Sequence, residues 1–491
     1  MALKTREDYL ASLRNMRPNV YKFGELIKDV TTHPATRRAV ESHCLAYDAA
    51  NDPELEEIYT ATSIFSGEKI LRWNSMMQNA QSLIDNMRVK RQNYRRSGTC
   101  VGAVCVGWNA QNALWAVTQE VDEEFGTDYQ ARLKKWIIDA QERGITVAGA
   151  LTDAKGNRKL KPSQQPDPFT IVRIVEKRED GIVIAGAKAM ICGTASSNEV
   201  FLLPGSAYGP GDEDCALACV IPRDIEGLTV VEARGPSDAR DLDTPSGYEV
   251  PETGVTQGWL LFEDVFVPNE RVFLCGEAKY TGKVVGYFSA NYRACIGACV
   301  AGQGDVMVGA ATAMARANGL SAKPFMDKLV DMSIKNQTTF GMGAGACALG
   351  KSHPSGSYFA DELTAHANKV LVATLPYEVK RQAQDISGGI VETGCMPSRK
   401  DFTSSEYGEL LQRCLKAGEC SSETRFKIAR LTEWLTIGGG VPGCMHGGGS
   451  PDGAKLVVRF KTPFEEYVHY AQKIMGIDEK ISEPAPVKKG S

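Results

Sequence analysis

The sequence predicts an α+β chain in three parts: a helical N-terminal domain over residues 1–145, a central β domain over 146–278, and a C-terminal helical bundle with a disordered tail over 279–491. Three observations predict it. Apolar residues recur at helical spacing in the first part, short β-branched runs broken by turns fill the second, and long stretches rich in small residues fill the third. Helices, then strands, then helices is the pattern of a multi-domain chain. A length of 491 residues leaves room for two to four domains with a large buried core.

In the first part, Ile70, Leu71, Trp73, Met76 and Met77 repeat at helical spacing within a helix expected over Glu68–Arg96, and Asn109–Val121 reads as another. The character changes near Gly144. Strands are expected at Phe169–Ile174, Gly181–Ile184, Val200–Leu203, Leu217–Ile221, Leu228–Val231 and Trp259–Phe262. Asp180-Gly181, set between two β-branched runs, marks a hairpin turn. In the third part Val284–Asn318 forms one long helix whose Ala, Gly, Ser and Cys residues permit close packing, with further helices over 325–347, 357–384, 405–437 and 462–475.

Composition excludes several classes. A net charge of −4 with no long basic run argues against nucleic acid as a partner, since phosphate binding needs clustered Lys and Arg. The start MALKTREDYLASLRN lacks the apolar core of a signal peptide, and no run approaches eighteen uncharged apolar residues. A cytoplasmic protein without a membrane segment is expected. Fourteen cysteines is a high count for a reducing compartment. Buried free thiols and an iron–sulfur site are the two readings.

Six ordered stretches are more specific: VYKFGELIKDVTTHP (Val20–Pro34), LTDAKGNR (Leu151–Arg158), IVEKREDGIVIAGAKA (Ile174–Ala189), FEDVFVPNERVF (Phe262–Phe273), DISGG (Asp385–Gly389) and MHGGGSP (Met445–Pro451). In this order and spacing they resemble the 4-hydroxyphenylacetate 3-hydroxylase family over roughly residues 6–475, nearest to its branch acting on 4-hydroxybutyryl-CoA. The resemblance implies an acyl-CoA dehydrogenase-like fold, bound FAD, a homotetramer and a small acyl-thioester substrate. It implies FAD contacts at Leu151, Thr152, Asp153, Gly156 and Arg158, where a polar loop can offer backbone N–H groups, and at Lys188 and Thr194 in KAMICGTASS. Gly388 and Gly389 would let backbone approach a phosphate closely, although a Gly pair is also an ordinary helix cap.

The acyl-CoA branch also implies a [4Fe–4S] cluster held by three cysteines and one histidine. Cys105 and Cys299 stand at two of those positions; Val101 stands at a third with Cys100 beside it, and Tyr292 stands at the histidine's with Cys295 three residues on. Either Cys100, Cys105, Cys295 and Cys299 hold an all-cysteine cluster, or the cluster is lost and Tyr292 fills its volume. The branch's acid–base residues differ as well. Gln257 replaces a glutamate, Pro442-Gly443-Cys444 replaces another, and Ile296 and Val300 replace a tyrosine and a lysine. Gln cannot serve as a general base.

The candidate active-site positions are therefore His446, the titratable ring beside a glycine run, with Tyr292 and Gln257. The leading expectation is a FAD-dependent lyase, isomerase or oxidoreductase acting on an acyl-CoA or related small acid derivative. A monooxygenase using reduced flavin and a non-catalytic flavin-binding homologue are the alternatives. The monooxygenase branch's phenol-binding Arg and Tyr have no counterpart near Ser97–Cys105, and its active-site His falls near Gly149.

Overall fold

A computed structural model describes residues 3–233, 252–437, 447–479 and 481. The N-terminal part is built on helices α1 (Arg6–Arg14), α2 (Arg37–Ala50), α3 (Ala80–Ser97), α4 (Gly102–Phe125) and α5 (Tyr129–Arg143). The helix expected from Glu68 begins only at α3, because Lys69–Leu71 pairs as a short strand with Thr60–Thr62. Asn79 supplies the reason for the late start: its side chain accepts from Ser82 N while Ser82 caps back on Asn79 N. Gly98, left-handed at φ 70, ends α3, and the short turn to Val101 sets the angle at which α4 leaves.

The N-terminal part is not wholly helical. Strands β1 (Val20–Lys22) and β2 (Glu25–Ile27) join the sheets of the middle part. That part contains β3 (Val147–Ala150), β4 (Arg173–Lys177), β5 (Gly181–Cys192), β6 (Glu199–Leu202), β7 (Leu217–Pro222), β8 (Leu228–Glu232), β9 (Gln257–Pro268) and β10 (Val272–Cys275). One sheet runs β2-β1-β8-β9-β5-β4 and the other β10-β7-β6-β3. The Asp180-Gly181 turn joins β4 to β5, with Arg178 N donating to Gly181 O at 2.8 Å. Strands β5 and β9 pair over twelve-residue lengths and bring Cys192 opposite Gln257.

The third part starts with α6 (Ala278–Ala317), followed by α7 (Lys323–Ala348), α8 (Glu362–Val372), α9 (Leu375–Ser387), α10 (Ser422–Thr436), α11 (Pro451–Lys461) and α12 (Phe464–Met475). The expected 357–384 helix is two, because the N1/N2 proline of α9 restarts the chain after Thr374. Small residues let α6 sit tightly: a Cβ on Gly297 would meet Thr339 O at 2.2 Å, and one on Gly302 would meet Arg91 O at 2.4 Å. By length and composition α6 could cross a membrane, but 78% of its most apolar window is buried inside the protein.

Candidate functional site

The implied flavin residues gather first at the end of β5. The ammonium of Lys188 is buried and spends its three protons inside the protein: on Leu151 O at 2.9 Å, Leu203 O at 2.9 Å and Asp153 Oδ1 at 2.6 Å. Asp153 also accepts from Tyr208 OH at 3.1 Å, and Ala189 N donates to Thr152 O at 2.9 Å. Lys188 therefore pins the start of the Leu151–Arg158 loop, and its own charge is already taken. The loop then turns through Lys155 (φ 82) and Gly156 (φ 47). A Cβ on Gly156 would meet Gln165 Oε1 at 2.1 Å, so a side chain there would displace Gln165 as well as strain the backbone. Arg158 is exposed. Thr194 is buried in the tight turn after β5, its carbonyl accepting from Ser197 N at 3.1 Å and Ser197 Oγ at 2.9 Å.

Gly388 and Gly389 lie in another part of the chain. Gly388 (φ 74, ψ −172) ends α9 and caps a short turn of helix, and a Cβ at either residue would meet nothing within 4 Å. The space needed for close approach of a ligand to this backbone is open. His446 lies outside the described residues. The glycines after it are held on α6: Arg293 Nε donates to Gly448 O at 2.9 Å, and a Cβ on Gly448 would meet Tyr292 Cε1 at 2.8 Å.

Of the implied metal and catalytic residues, Cys100, Cys105, Cys299, Tyr292 and Gln257 meet at a seam formed by the end of α3, the start of α4, the end of β5, the start of β9 and the middle of α6. Cys100 is in hydrogen-bond contact with both Cys105 and Cys192. Gln257 Nε2 donates to Cys192 Sγ at 3.2 Å. Cys299 packs with Ile296, Val300 and Tyr94, against Cys100 and Tyr292. Tyr292 stacks on Phe288 at 5.3 Å; burial, with the thiols of Cys105, Cys100, Cys299 and Cys192 around it, holds its phenol well above its ordinary range. The hydrogen bond from Cys100, opposed by burial and helped by the Lys90 charge, lowers Cys105 to about 7.

Cys295 turns elsewhere. Its thiol donates to Leu83 O at 3.8 Å and contacts Cys347, which in turn points at Met87 Sδ. The four-cysteine set of the sequence reading is thus not brought together as one group: Cys100, Cys105 and Cys299 line the seam, and Cys192 joins them in place of Cys295. Lys90 and the buried Glu232 were not found from sequence, where each is an isolated residue of common type, and Cys192 was not singled out within KAMICGTASS.

These residues do not fit a four-ligand iron–sulfur cluster. Tyr292, at the position where the resemblance places a histidine, carries a phenol held protonated by its surroundings; its ring packs among the thiols; and Cys100 is bonded to two of them. Among the described residues no group of three or more His, Cys, Asp or Glu side chains is arranged to hold a metal ion.

The architecture is a helix–sheet–helix arrangement with a buried seam between the strands and the long helix α6. The family follows from the comparisons. The model of the 4-hydroxyphenylacetate 3-hydroxylase N-terminal part matches residues 5–274, and that of its C-terminal part matches 281–476. The chain belongs to the 4-hydroxyphenylacetate 3-hydroxylase family. It is 34% identical to 4-hydroxybutyryl-CoA dehydratase/vinylacetyl-CoA-Delta-isomerase of Clostridium aminobutyricum, over 97% of this chain and 100% of that one. It superimposes on an oxygen-tolerant archaeal 4-hydroxybutyryl-CoA dehydratase from N. maritimus with a TM-score of 0.94 at 32% identity, covering 100% of this chain and 98% of that one. The oxygenase component HpaB of 4-hydroxyphenylacetate 3-monooxygenase, solved with FAD, shares the fold at TM-score 0.84 and 21% identity, covering 97% of this chain and all of that one.

Proposed function

We propose that this chain is a FAD-dependent enzyme acting on an acyl-CoA or a related small acid derivative, as a lyase, isomerase or oxidoreductase. The observation that carries the reading is full-length similarity to two acyl-CoA dehydratases, at 34% and 32% identity, against 21% for the FAD-bound oxygenase. Bound there, FAD would supply electron and proton transfer near the thioester of the substrate. The residues that would hold it are the pinned loop Leu151–Arg158, the turn at Thr194 and the open Gly388-Gly389 backbone. Lys188 keeps the loop in place. Tyr292, Gln257 and the glycine run that follows His446 line the reacting side. A cytoplasmic homotetramer without a nucleic-acid or membrane partner completes the proposal.

The test is anaerobic purification followed by flavin, iron and sulfide analysis, then titration with a short acyl-CoA and separately with 4-hydroxyphenylacetate. The expected result is bound FAD without stoichiometric iron, and a flavin spectrum that responds to the acyl-CoA alone. A response to the phenol with none to acyl-CoA overturns the substrate class in favour of a monooxygenase. Failure to bind any flavin in folded protein overturns the enzyme reading.

A further inference from the structure

Helices α11 and α12 follow one another near the end of the chain, and they differ in what holds them. Helix α11 packs on α8, burying Ala454, and its Lys461 pairs with Glu362 on α8 at 2.6 Å. Helix α12 has no buried residue, and no element packs extensively against it among the described residues. Its sequence is nevertheless amphipathic: Phe464, Tyr467, Ala471, Ile474 and Met475 recur at helical spacing and share one face. A lone helix of 12 residues is marginal in water, so this face needs a covering surface.

The amount of bare surface and its charges identify what covers it. On the two helices Phe460 is 80% exposed and Ile474 82%, and Leu456, Phe464, Tyr467 and Met475 are also exposed. With a bare side chain of this size presenting roughly 200 Å², these residues leave on the order of 800 Å² of apolar surface, more than a monomer ordinarily leaves uncovered and about what one partner brings to a standard interface. Helix α12 and the residues just after it carry Glu465, Glu466, Asp478 and Glu479 against Lys473. A helix that lies on a membrane is instead rich in Lys and Arg. Helix α11 has the opposite balance, Lys455, Arg459 and Lys461 against Asp452, with the exposed Leu456 and Phe460 beside them in the sequence.

We propose that α11 and α12 form a clasp between two copies of this chain: the apolar face of α12 in one copy lies over Leu456 and Phe460 on α11 of the other, and the reverse contact closes the pair. A patch that meets its own copy across a two-fold axis has to be self-complementary. An acidic apolar helix joined to a basic one meets that condition, since each finds its opposite in the other copy. The clasp is independent of the flavin chemistry. It rests on the assembly of copies proposed above and names the surface that joins two of them.

The experiment is sedimentation velocity on the full chain over a range of concentrations at low salt. It compares the wild type, Phe460→Glu, Ile474→Glu, the charge reversal Glu465→Lys with Glu466→Lys, and that reversal combined with Lys455→Glu and Arg459→Glu. Every substituted position is exposed in the single chain, so each variant folds, which circular dichroism checks. Phe460→Glu and Ile474→Glu are expected to split the assembly at one two-fold contact, raising its dissociation constant at least roughly tenfold, the scale of a central interface contact. The charge reversal should weaken assembly at low salt, and the combined variant should restore it, because opposite charges then face each other again. If the wild type is an assembly that Phe460→Glu and Ile474→Glu leave intact, the clasp fails while the proposed assembly stands. A combined variant no better than the reversal alone overturns the pairing of α12 with α11. A wild type that sediments as a single chain overturns both the clasp and the assembly, and its co-sedimentation with phosphatidylserine vesicles would assign the face to a membrane.

Discussion

The Lys188 ammonium lies 2.6 Å from Asp153 Oδ1 and bridges the end of β5 to the first residues of the Leu151–Arg158 loop. Both side chains are shielded, at 4% and 13% exposure. Removing one partner leaves the other charge buried and unpaired, which costs about 3 kcal/mol or more. Lys188→Met is therefore expected to lower stability by that amount in urea unfolding and to release FAD. Unchanged stability with full flavin content would show that the loop is held without this pair.

At Gly389 the expectation is the opposite combination. A side chain there meets no protein atom within 4 Å, so Gly389→Leu should change stability by no more than about 0.5 kcal/mol. It should nevertheless reduce flavin occupancy by filling the space that a phosphate would take. Absorbance of purified, folded variant protein reads this directly, and retention of all the FAD removes Gly388-Gly389 from the cofactor site.

Gln257 bears on the reaction. It donates to Cys192 at 3.2 Å, and an amide cannot take a proton as a glutamate would. With a general base absent, turnover of 4-hydroxybutyryl-CoA is expected to be lower than in the dehydratases by roughly 10²–10⁴-fold. Coupled assay of crotonyl-CoA formation checks it. Brisk formation would mean that another group supplies the base.

Glu232, at the end of β8 opposite Gly258, predicts a pH dependence of stability. Burial pushes its carboxyl from 4.5 up to about 7, against the pull of Lys22. The unfolded chain therefore loses this proton more easily than the folded one, and stability falls as pH rises from about 4.5 to about 7. Above that range the full penalty, on the order of 3 kcal/mol, is present. Glu232→Gln should raise the melting temperature clearly at pH 8 and hardly at pH 4.5. An equal rise at both values would show that charge at this position is not the cause.

Much of this protein was legible in the one-dimensional pattern. The Asp180-Gly181 turn, the small-residue helix from near Val284 and the alternation of helical and β-branched stretches are all local, set by backbone preference and by which face each element must bury. The glycines at 156 and 388 also declared themselves, since each takes a positive φ. Short segments read less well. β1 and β2 carry too few residues to show a period, and they become strands only because β8 offers an unpaired edge.

The chemistry of the seam was decided by the tertiary structure alone. Cys295 and Cys299 are four residues apart on α6 and read as one face, but four residues advance a helix by about 400°, leaving them some 40° apart. On a helix packed on several sides that offset sends Cys295 to Leu83 and Cys347, and Cys299 to Cys100 and Tyr292. Sequence named the thiols but could not choose among them. Lys90, Cys192 and Tyr292 come from α3, β5 and α6, separated by about a hundred residues each, and no local rule links them. Their meeting follows from the packing of α3 on α6 and the pairing of β5 with β9, because side-chain charge and burial are properties of the assembled core and not of any segment within it.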